Sequence, residues 1–407
     1  MPETDFKMYP IEGDPTRVTE LFARCFAHHN SYYSHLRRMD LDLRKNPCMK
    51  PDDCWVIEKE GAIIGLVLVS VMPLRVGSSL LLAGGIGGVC TELPYRKMGY
   101  NQKLMKRCIA FMTERGLDIS LLAGIENYYH QYGYAVVMPG YTLSVASQAA
   151  IEKTGSYSVR KFTDTDLPSL IMLYEREYGS LTGTHARSKD FWQWLISNSP
   201  EIIVAVDSDE RVKGYIWLDS GKETKLREAA ADDVPAVHSL MHFAALQARE
   251  KFQAAISGYL HPRQPFARTI ISETGCEVKM HHPRNGGWMA RCINLSGMFE
   301  KLTTEFSQRL SESQFYNWNG SIKFVTDLGT VALRGRDGGI VMDEPGNAAD
   351  NVVCKVNQSV LMQMIFGYVT LSELIRTNKI SIDDGSLPLL NALFPFQQAF
   401  ISAPDHF

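Results

Sequence analysis

One strand–helix–hairpin unit occurs twice between Tyr9 and Gly214, and this repetition constrains the fold more than any other feature. In the first copy, Tyr9-Pro-Ile precedes a helical pattern over Thr16 to Phe26 and a hairpin pattern over Trp55 to Gly65. The second copy repeats this order, with Tyr157 to Phe162, Asp166 to Tyr178 and Ile203 to Gly214. Repetition of one unit predicts a duplicated domain. The alternative is a chance match of two short hairpins.

The chain is long enough for a third domain after the two copies. It has 407 residues, which at about 150 residues per domain corresponds to two or three domains. From Gly286 onward, the pattern predicts antiparallel strands between helices, with a strand at 288–293, a helix at 295–310, strands at 321–325, 330–333 and 339–342, and a helix at about 358–368. We therefore predict two α/β domains at 1–150 and 151–285 and an α+β domain at 286–407.

Composition excludes several classes of protein. A net charge of −3 does not suit a nucleic-acid-binding protein or one that binds an anionic membrane surface. The eight cysteines form no CxxC pair, and no HExxH motif is present, so we expect reduced thiols and no metal site. The start is polar, and the longest apolar run, Ala62 to Leu74, is shorter than the roughly 20 residues of a membrane span. A soluble cytoplasmic protein is expected.

The segment from Val89 to Leu104 has the pattern of a phosphate-binding loop. A strand ends, a short loop follows, and a helix begins near Asn101. The first amides of a helix have no intrahelical acceptor and carry the positive end of its dipole, so they bind anions. Arg96 and Lys97 add positive charge, and Gly99 allows close approach of a pyrophosphate. The alternative is a basic loop that only caps the helix.

This segment resembles the acetyl-coenzyme A motif of the GNAT superfamily. The family pattern Q/RxxGxG/A corresponds to Arg96, Gly99 and Asn101, although Asn101 replaces the usual glycine or alanine. The strand that holds pantetheine in the family corresponds to Val89 to Thr91. The resemblance implies acetyl-coenzyme A as co-substrate, with no metal, and a binding set of Val89, Cys90, Thr91, Arg96, Lys97, Met98, Gly99, Tyr100 and Asn101.

Motifs along the rest of the chain resemble the Eis-type (enhanced intracellular survival) acetyltransferases. These motifs are Gly124 to Tyr134, the second copy, Trp288 to Ile293, Phe366 to Leu374, Leu393-Phe-Pro395 and the ending Asp405-His-Phe407. The resemblance implies an active GNAT domain, a degenerate GNAT-like domain and a sterol-carrier-protein-like domain, assembled as a hexamer. In the second copy, Asp232 and Asp233 replace the basic loop and would repel a pyrophosphate.

The resemblance also assigns two catalytic groups. Tyr129 corresponds to the family's general acid, which protonates the leaving thiolate, and Tyr128 is the alternative. The carboxylate of the last residue, Phe407, corresponds to the base that accepts a proton from the amine. A chain terminus often frays, but the apolar run from Leu387 to Phe400 predicts that this end is docked.

The acceptor is expected to be a small amine or a lysine-bearing substrate. His28 to Tyr33 follow the first helix, where GNAT proteins bind acceptors, and His28 and Tyr32 are the candidates chosen there; a solvated loop is the alternative. A small cationic amine would need an acidic pocket, for which Glu126 and Asp405 are candidates. Cys90 as a covalent nucleophile is a further alternative, since direct transfer needs none.

Two other functions fit the same sequence. The third domain could hold an apolar ligand while the first is vestigial, although the intact Arg96–Gly99 motif counts against this. The acyl donor could also be another acyl-coenzyme A, such as propionyl-coenzyme A, because the residues around the acyl group cannot be identified from the sequence.

Overall fold

A computed structural model of the chain describes residues 6–28, 31–198, 201–219, 221–344 and 352–407. The N-terminal part alternates strands and helices, as its repeat unit predicts. Its elements are β1 (Lys7–Pro10), α1 (Thr16–Phe26), α2 (Tyr32–Lys45), β2 (Trp55–Lys59), β3 (Ala62–Val76), β4 (Ser79–Thr91), α3 (Tyr100–Glu114), β5 (Ile119–Gly124) and β6 (Ala135–Val136). At the β2–β3 turn, Glu60 and Gly61 both have positive φ, as a tight hairpin turn requires.

The central part repeats this arrangement. Its elements are β7 (Gly140–Ala146), α4 (Ser147–Glu152), β8 (Ser158–Lys161), α5 (Leu167–Tyr178), α6 (Lys189–Ser197), β9 (Glu201–Val206), β10 (Val212–Leu218), β11 (Lys225–Ala231), α7 (Val234–Glu250), β12 (Ala255–Gly258), α8 (Pro265–Glu273), β13 (Glu277–His281) and β14 (Gly287–Cys292).

The two parts form two seven-stranded sheets of equivalent topology. The first sheet has the order β1-β2-β3-β4-β5-β14-β6, and the second, read from its other end, has the order β8-β9-β10-β11-β12-β7-β13. In each sheet the fourth and fifth strands are parallel, and the strands before them are antiparallel. The predicted duplication is confirmed in the strand order, and the hairpins β2–β3 and β9–β10 occupy the same position.

The sheets exchange one strand each. β7, which follows β6 in the chain, pairs with β12 and β13 of the second sheet. β14 enters the first sheet between β5 and β6. The boundaries suggested at 150 and 285 do not follow this pairing, because β7 lies before the first boundary and β14 after the second. Local hydrophobic periodicity identifies a strand but carries no information on a partner so distant in the chain.

The C-terminal part is an α+β module. Its elements are α9 (Leu295–Ser311), β15 (Gly320–Thr326), β16 (Gly329–Arg336), β17 (Gly339–Asp343), β18 (Val352–Val356), α10 (Gln358–Ile365), α11 (Leu371–Arg376), β19 (Ile380–Ser381) and α12 (Leu387–Leu393). The sheet order is β17-β16-β15-β18-β19. α10 ends at Ile365, slightly before the expected end. The core of this module is continuous with apolar side chains of β3 and β4, so the module is packed on the first sheet.

The last residues of the chain are docked, as the apolar run predicts. Residues 399–405 are buried. The Phe400 side chain enters the core of the central part, while Ala399 and Ile401 belong to the core that joins the first sheet to the C-terminal module. The terminus therefore passes between all three parts and returns to the first sheet.

None of the helices in the described parts of the chain has both the length and the apolar character of a bilayer-spanning segment.

Candidate active site

The middle of β4 leaves part of its backbone unpaired. β4 pairs with β5 only from Ala83 to Ile86, so the two parallel strands separate after Ile86. On its other edge, the register with β3 shifts between Leu66 and Leu68, which forms a bulge at Gly88 and Val89. Gly88 has φ of +57°, and a β-carbon there would lie 2.4 Å from the Leu68 side chain. Only glycine fits this bulge. Beyond Ile86, the edge of β4 that faced β5 has no strand partner among the described residues, so its backbone groups are available for other hydrogen bonds.

The loop after β4 leads into helix α3, whose first turn has no side-chain cap from its N-cap residue. Gly99 is the N-cap of α3, with φ of +83°, and it has no side chain to accept a hydrogen bond from the first-turn amides. Lys97 also has positive φ, at +64°. The Arg96 side chain folds back on the strand, where its Nε donates to the Thr91 carbonyl at 3.0 Å. The loop thus directs amides, the helix dipole and two cationic side chains towards one space.

That space is a cavity of about 520 Å³, called here the loop cavity. Of the predicted binding set, all but Met98 line it, and Met98 is exposed outside it. The Thr91 hydroxyl and the Asn101 side-chain oxygen are buried and have no hydrogen-bond partner among the described residues. Unpartnered buried polar atoms are costly. Together with the free amides, they suit a polar phosphate–pantetheine ligand such as coenzyme A.

The equivalent position in the second sheet is occupied by the chain itself. β11 pairs with β12 only at Lys225 and Leu226. Beyond that point, the Tyr178 hydroxyl donates to the Ala229 carbonyl at 2.9 Å, and the Gln264 side chain donates to the same carbonyl at 3.1 Å. The first turn of α7 is capped by Asp233, which accepts from the Ala236 amide at 2.9 Å. Side chains therefore take the positions where the first sheet leaves space for a ligand.

Phe407 returns to β4 beside the bulge. Gly85 and Gly87 are two apart on the strand and so share one face of the sheet. A β-carbon at Gly85 would lie 2.7 Å from the Phe407 ring, and one at Gly87 would lie 3.3 Å from its carboxyl carbon. The Trp288 ring covers Phe407, with centroids 5.7 Å apart. Two glycines thus create the space in which the terminal residue sits.

Phe407 lines a second cavity, called here the terminal cavity, which has a volume of about 250 Å³. Its walls come from α1, α2, β3, β4, α6 and the C-terminus, and include Phe22, Phe26, Asp42, Gly87, Gly88, Phe191, Trp194, Asp405 and Phe407. Of the two bulge residues, Gly88 lines the terminal cavity and Val89 lines the loop cavity, so the two cavities meet at the β4 bulge; Phe26 lines both. Desolvation raises the pKa of Asp42 to about 6, and the nearby Arg38 opposes this shift.

A third cavity continues outward from the terminal cavity. This arginine chamber has a volume of about 730 Å³ and shares Arg38, Asp42, Trp194, Pro404 and His406 with the terminal cavity. Arg37, Arg227, Ser34, Ser197 and Asn198 are among its other lining residues.

Asp405 lines the terminal cavity, but its carboxylate is already paired. Arg187, itself fully buried, donates from Nε to Asp405 at 2.7 Å and from Nη2 at 3.0 Å. Burial alone would raise the pKa of Asp405, yet the Arg187 guanidinium lowers it to about 2. Arg187 also binds Glu228 through both terminal nitrogens. The structure therefore gives Asp405 a role in anchoring the terminus, in place of the expected contact with a cationic amine.

The tyrosine-rich segment lies next to the loop cavity. Tyr128 and Tyr132 line that cavity, with their hydroxyls 3.3 Å apart. Tyr129 begins a short 3₁₀ turn, Tyr129–Tyr132, and its ring packs against Gly124 of β5 and Tyr128. Burial, with a smaller contribution from Tyr128, raises the pKa of Tyr129, so its phenol stays protonated at neutral pH. The lining of the loop cavity includes Tyr128 but not Tyr129.

Cys90 lies in the loop cavity beside Cys25. A hydrogen bond between the two thiols is the main reason that the pKa of Cys90 is raised well above its usual value, and desolvation adds to this shift. The same hydrogen bond lowers the pKa of Cys25. A thiol that stays protonated is a poor nucleophile, which argues against a covalent role for Cys90.

The other predicted acceptor residues are not gathered at one place. His28 lines the loop cavity, whereas Tyr32 begins α2 with its ring against Tyr33. Glu126 lines a different cavity, next to Gly286 and His281. His29 and Asn30 lie outside the described residues. Within the described ranges, no three His, Cys, Asp or Glu side chains are grouped as metal ligands.

Sequence reasoning missed Asp42, Arg187 and the arginines of the chamber. Arg37, Arg38 and Asp42 belong to α2, whose amphipathic pattern begins at Tyr32, inside the segment chosen for the acceptor. The amphipathic pattern of α2 was therefore the signal that could have identified Arg37, Arg38 and Asp42. Arg187 lies in a loop and has no local signal.

A family model described as an acetyltransferase (GNAT) domain matches residues 11–137. Comparison with curated proteins gives no significant match.

Solved structures share the fold over the full length. A GCN5-related N-acetyltransferase from Kribbella flavida has a TM-score of 0.73 and 15% identity, with 99% of this chain and 98% of that chain covered. A GCN5-related N-acetyltransferase from Anabaena variabilis has a TM-score of 0.74 and 16% identity, with coverage of 99% and 100%. Eis1 from Mycobacterium abscessus has a TM-score of 0.65 and 14% identity, again with coverage of 99% and 100%. Residues 11–137 are thus an acetyltransferase (GNAT) domain, and they lie within a chain whose whole fold is similar to these three proteins.

Proposed function

We propose that the protein transfers an acetyl group from acetyl-coenzyme A to an amine by direct attack, with the carboxylate of Phe407 as base and Tyr129 as acid. The observation that carries this proposal is the meeting of two cavities at the β4 bulge, one lined by the phosphate loop and the other by the chain terminus. A thioester in the first cavity and an amine in the second would be adjacent. Holding two reactants together supplies much of the rate enhancement in such reactions.

The donor would be held by the loop cavity. The first-turn amides of α3, with Arg96 and Lys97, suit the pyrophosphate, and the unpaired edge of β4 suits the pantetheine amides. A backbone N–H at the bulge could donate to the thioester oxygen as negative charge develops on it. Loss of one such donor in other enzymes costs roughly 10²–10³-fold in rate.

Each of the two proton transfers would use a group beside one of the cavities. The amine must lose a proton to attack, and the Phe407 carboxylate is held beside Gly87 in the terminal cavity. The leaving thiolate must gain a proton, and Tyr129 keeps its phenolic proton at neutral pH. Tyr128 remains the alternative acid, because it lines the loop cavity directly.

The assignments for the rest of the chain, its assembly and its location are also proposals. We propose that the central part is a degenerate copy without a cofactor, because Tyr178, Gln264 and Asp233 occupy its equivalent site. The sterol-carrier-like module and the hexamer are proposed on the resemblance. The domain ranges 1–150, 151–285 and 286–407 and the cytoplasmic location are proposed on the sequence pattern and composition. The core of the C-terminal module is occupied by its own aromatic rings, such as Phe299 and Phe324 at 5.0 Å, which does not favour the alternative of an apolar ligand.

The test is release of coenzyme A from acetyl-coenzyme A across a panel of amines, with acetyl-coenzyme A binding measured separately. Deletion of Phe407, or extension of the chain by one glycine after it, is expected to lower kcat by roughly 10²-fold or more with little change in acetyl-coenzyme A affinity. The extension is the sharper variant, because it keeps the phenyl ring and moves only the carboxylate.

Tyr129→Phe and Tyr128→Phe form a matched pair. If Tyr129 is the acid, its variant loses kcat and the Tyr128 variant retains most of it; the reverse result would assign the acid to Tyr128. Absence of acetyl-coenzyme A binding by the wild-type protein would refute the proposed function.

A further inference from the structure

The charge of the arginine chamber bears on the kind of acceptor, and this inference rests on the proposed function. An amine that reacts between Gly87 and the bulge must occupy the terminal cavity. That cavity is small, and it continues into the chamber past Trp194 and Arg38, which line both. Any acceptor larger than the terminal cavity therefore has its far end in the chamber.

Positive charge dominates the chamber. Arg37 and Arg38 extend from α2, and Arg227 extends from β11. Among the described residues that line the chamber, Asp42 is the sole carboxylate, and it lies 3.7 Å from Arg38 Nε. Three guanidinium groups thus face one carboxylate.

Carboxylates behind the wall offset part of this charge. Asp405 and Glu228 share the single cation of Arg187 in the buried network, and both also attract Arg227, but neither lines the chamber. Asp219 attracts Arg227 but is not part of the lining. Burial lowers the pKa of Arg227, Asp219 opposes this shift, and repulsion from Arg38 adds to it. Two neighbouring guanidinium groups that repel each other are stabilised by an anion placed between them.

The other polar groups of the chamber suit the same ligand. Ser34, Ser197 and Asn198 add polar side chains to the lining. The Ser197 hydroxyl and one Asn198 N–H already donate to the Trp194 carbonyl, which leaves the second Asn198 N–H for a ligand. Arginine and such donors together are the usual ligands of carboxylate and phosphate groups.

We propose that the acceptor is an amine whose opposite end carries an anionic group, a carboxylate or a phosphate, bound by Arg37, Arg38 and Arg227. The amine end would lie in the terminal cavity, where Asp42 and the Phe407 carboxylate provide negative charge. This acceptor differs from the small cationic amine for which an acidic pocket was expected. The substrate would be bipolar, with its two ends matched to the two cavities.

The experiment compares two series of linear amines of equal length. The first runs from 4-aminobutanoate to 8-aminooctanoate, with 6-aminohexyl phosphate added to separate phosphate from carboxylate. The second consists of the α,ω-diamines of the same lengths. Binding is measured by calorimetry in the presence of coenzyme A, and turnover is measured as kcat/KM. We expect the anionic members to bind at least about 10-fold more tightly than the matched diamines, with a preference that weakens in high salt.

Charge reversal tests the assignment to residues. Arg38→Glu, alone or with Arg37→Glu, is expected to invert the preference towards the diamines, a gain that a misfolded protein could not show. Both side chains are exposed on α2, so the fold tolerates the change. Arg44→Glu is the matched control, because it makes the same charge change on α2 outside the chamber.

The outcomes separate the two proposals. Preferential binding of the anionic amines without turnover would support the bipolar ligand while the proposed function failed. Equal binding of both series, preference for the diamines, or an equal effect of Arg44→Glu would overturn the inference, whatever the turnover.

Discussion

At the scale of single residues, Asp42 shows how burial changes the chemistry of a side chain. It projects from α2 into the space between the terminal cavity and the arginine chamber, where its side chain is 13% exposed. Desolvation favours the neutral acid, and the attraction of Arg38 at 3.7 Å does not cancel this effect. The same residue on the protein surface would be ionised well below neutral pH.

Asp42 therefore lowers the stability of the protein as pH rises. Its pKa is raised from 3.8 to about 6 on folding, so the cost is absent below pH 4, develops between pH 4 and 6, and is fully present above pH 6. We expect Asp42→Asn to increase the free energy of unfolding at pH 8 by about 2–3 kcal/mol and to have little effect at pH 3.5. Denaturant unfolding at the two pH values measures the difference.

Asp40→Asn provides the comparison on the same helix. Asp40 pairs with Arg44 at 2.7 Å on the surface, so its loss is expected to change stability by less than about 0.5 kcal/mol at either pH. Equal behaviour of the two variants would contradict the pH-dependent cost assigned to Asp42.

At the scale of elements, β4 does the most to form the site. Its three functional features are the separation from β5 after Ile86, the bulge at Gly88 and the glycine face at Gly85 and Gly87. A strand rich in glycine loses side-chain packing. Here the missing side chains are replaced by Phe407 on one face and by Met112 of α3 on the other, where a β-carbon at Gly84 would lie 2.4 Å from its sulfur.

A single methyl group on β4 should displace the chain terminus. Gly85→Ala places a β-carbon 2.7 Å from the Phe407 ring, closer than real contacts allow, while the backbone conformation at this position accepts alanine. We expect kcat to fall by roughly 10²-fold, as on deletion of Phe407, with unchanged affinity for acetyl-coenzyme A, because the loop cavity lies beyond the bulge. Gly140→Ala is a suitable control, since its β-carbon meets nothing closer than 4.0 Å. Full activity of Gly85→Ala would mean that contact with β4 does not hold the terminal carboxylate in place.

At the scale of the whole molecule, the central part supports the chain terminus. Arg187 joins Asp405 of the terminus to Glu228 of β11, and Ser402 and Tyr215 donate to Glu228 in the same network. Phe400 donates its amide to the Thr182 carbonyl at 2.9 Å. The central part of the chain thereby contributes to the position of Phe407 against the first sheet.

Loss of Arg187 should affect both stability and catalysis. Arg187→Leu leaves Asp405 and Glu228 buried without their cation, which is expected to lower the free energy of unfolding by about 3–5 kcal/mol. The terminus would become less firmly held. We therefore expect kcat to fall by a larger factor than the factor by which the KM for acetyl-coenzyme A changes. Arg187→Lys keeps the charge but not the forked geometry and should be intermediate in both measurements.

Arg211→Leu removes an arginine of the same domain from an exposed pair with Asp209, and it should change stability by less than about 0.5 kcal/mol. If Arg187→Leu were no more destabilised than this control, the network would not hold the terminus.

Features encoded by contiguous residues could be identified from the sequence alone. The repeated unit, the loop from Arg96 to Asn101 and the helix after it each depend on neighbours a few residues away, and the structure has them where they were expected. Eight residues of the predicted binding set line one cavity for the same reason, while Met98 points away from it. The docked terminus was predictable because an apolar segment of that length is unstable in water.

Features that join distant segments were decided only by the tertiary structure. The exchange of β7 and β14 depends on backbone hydrogen bonds between strands far apart in the chain, and local periodicity is the same whichever sheet a strand joins. The pairing of Asp405 with Arg187 and the convergence of α2 and β11 on one chamber likewise depend on packing. The sequence by itself determined which segment suits a phosphate-bearing ligand, because that chemistry is local. Only the folded chain brought its own last residue to Gly85 and Gly87 of β4, because a contact between segments so distant in the chain exists only once the core between them is packed.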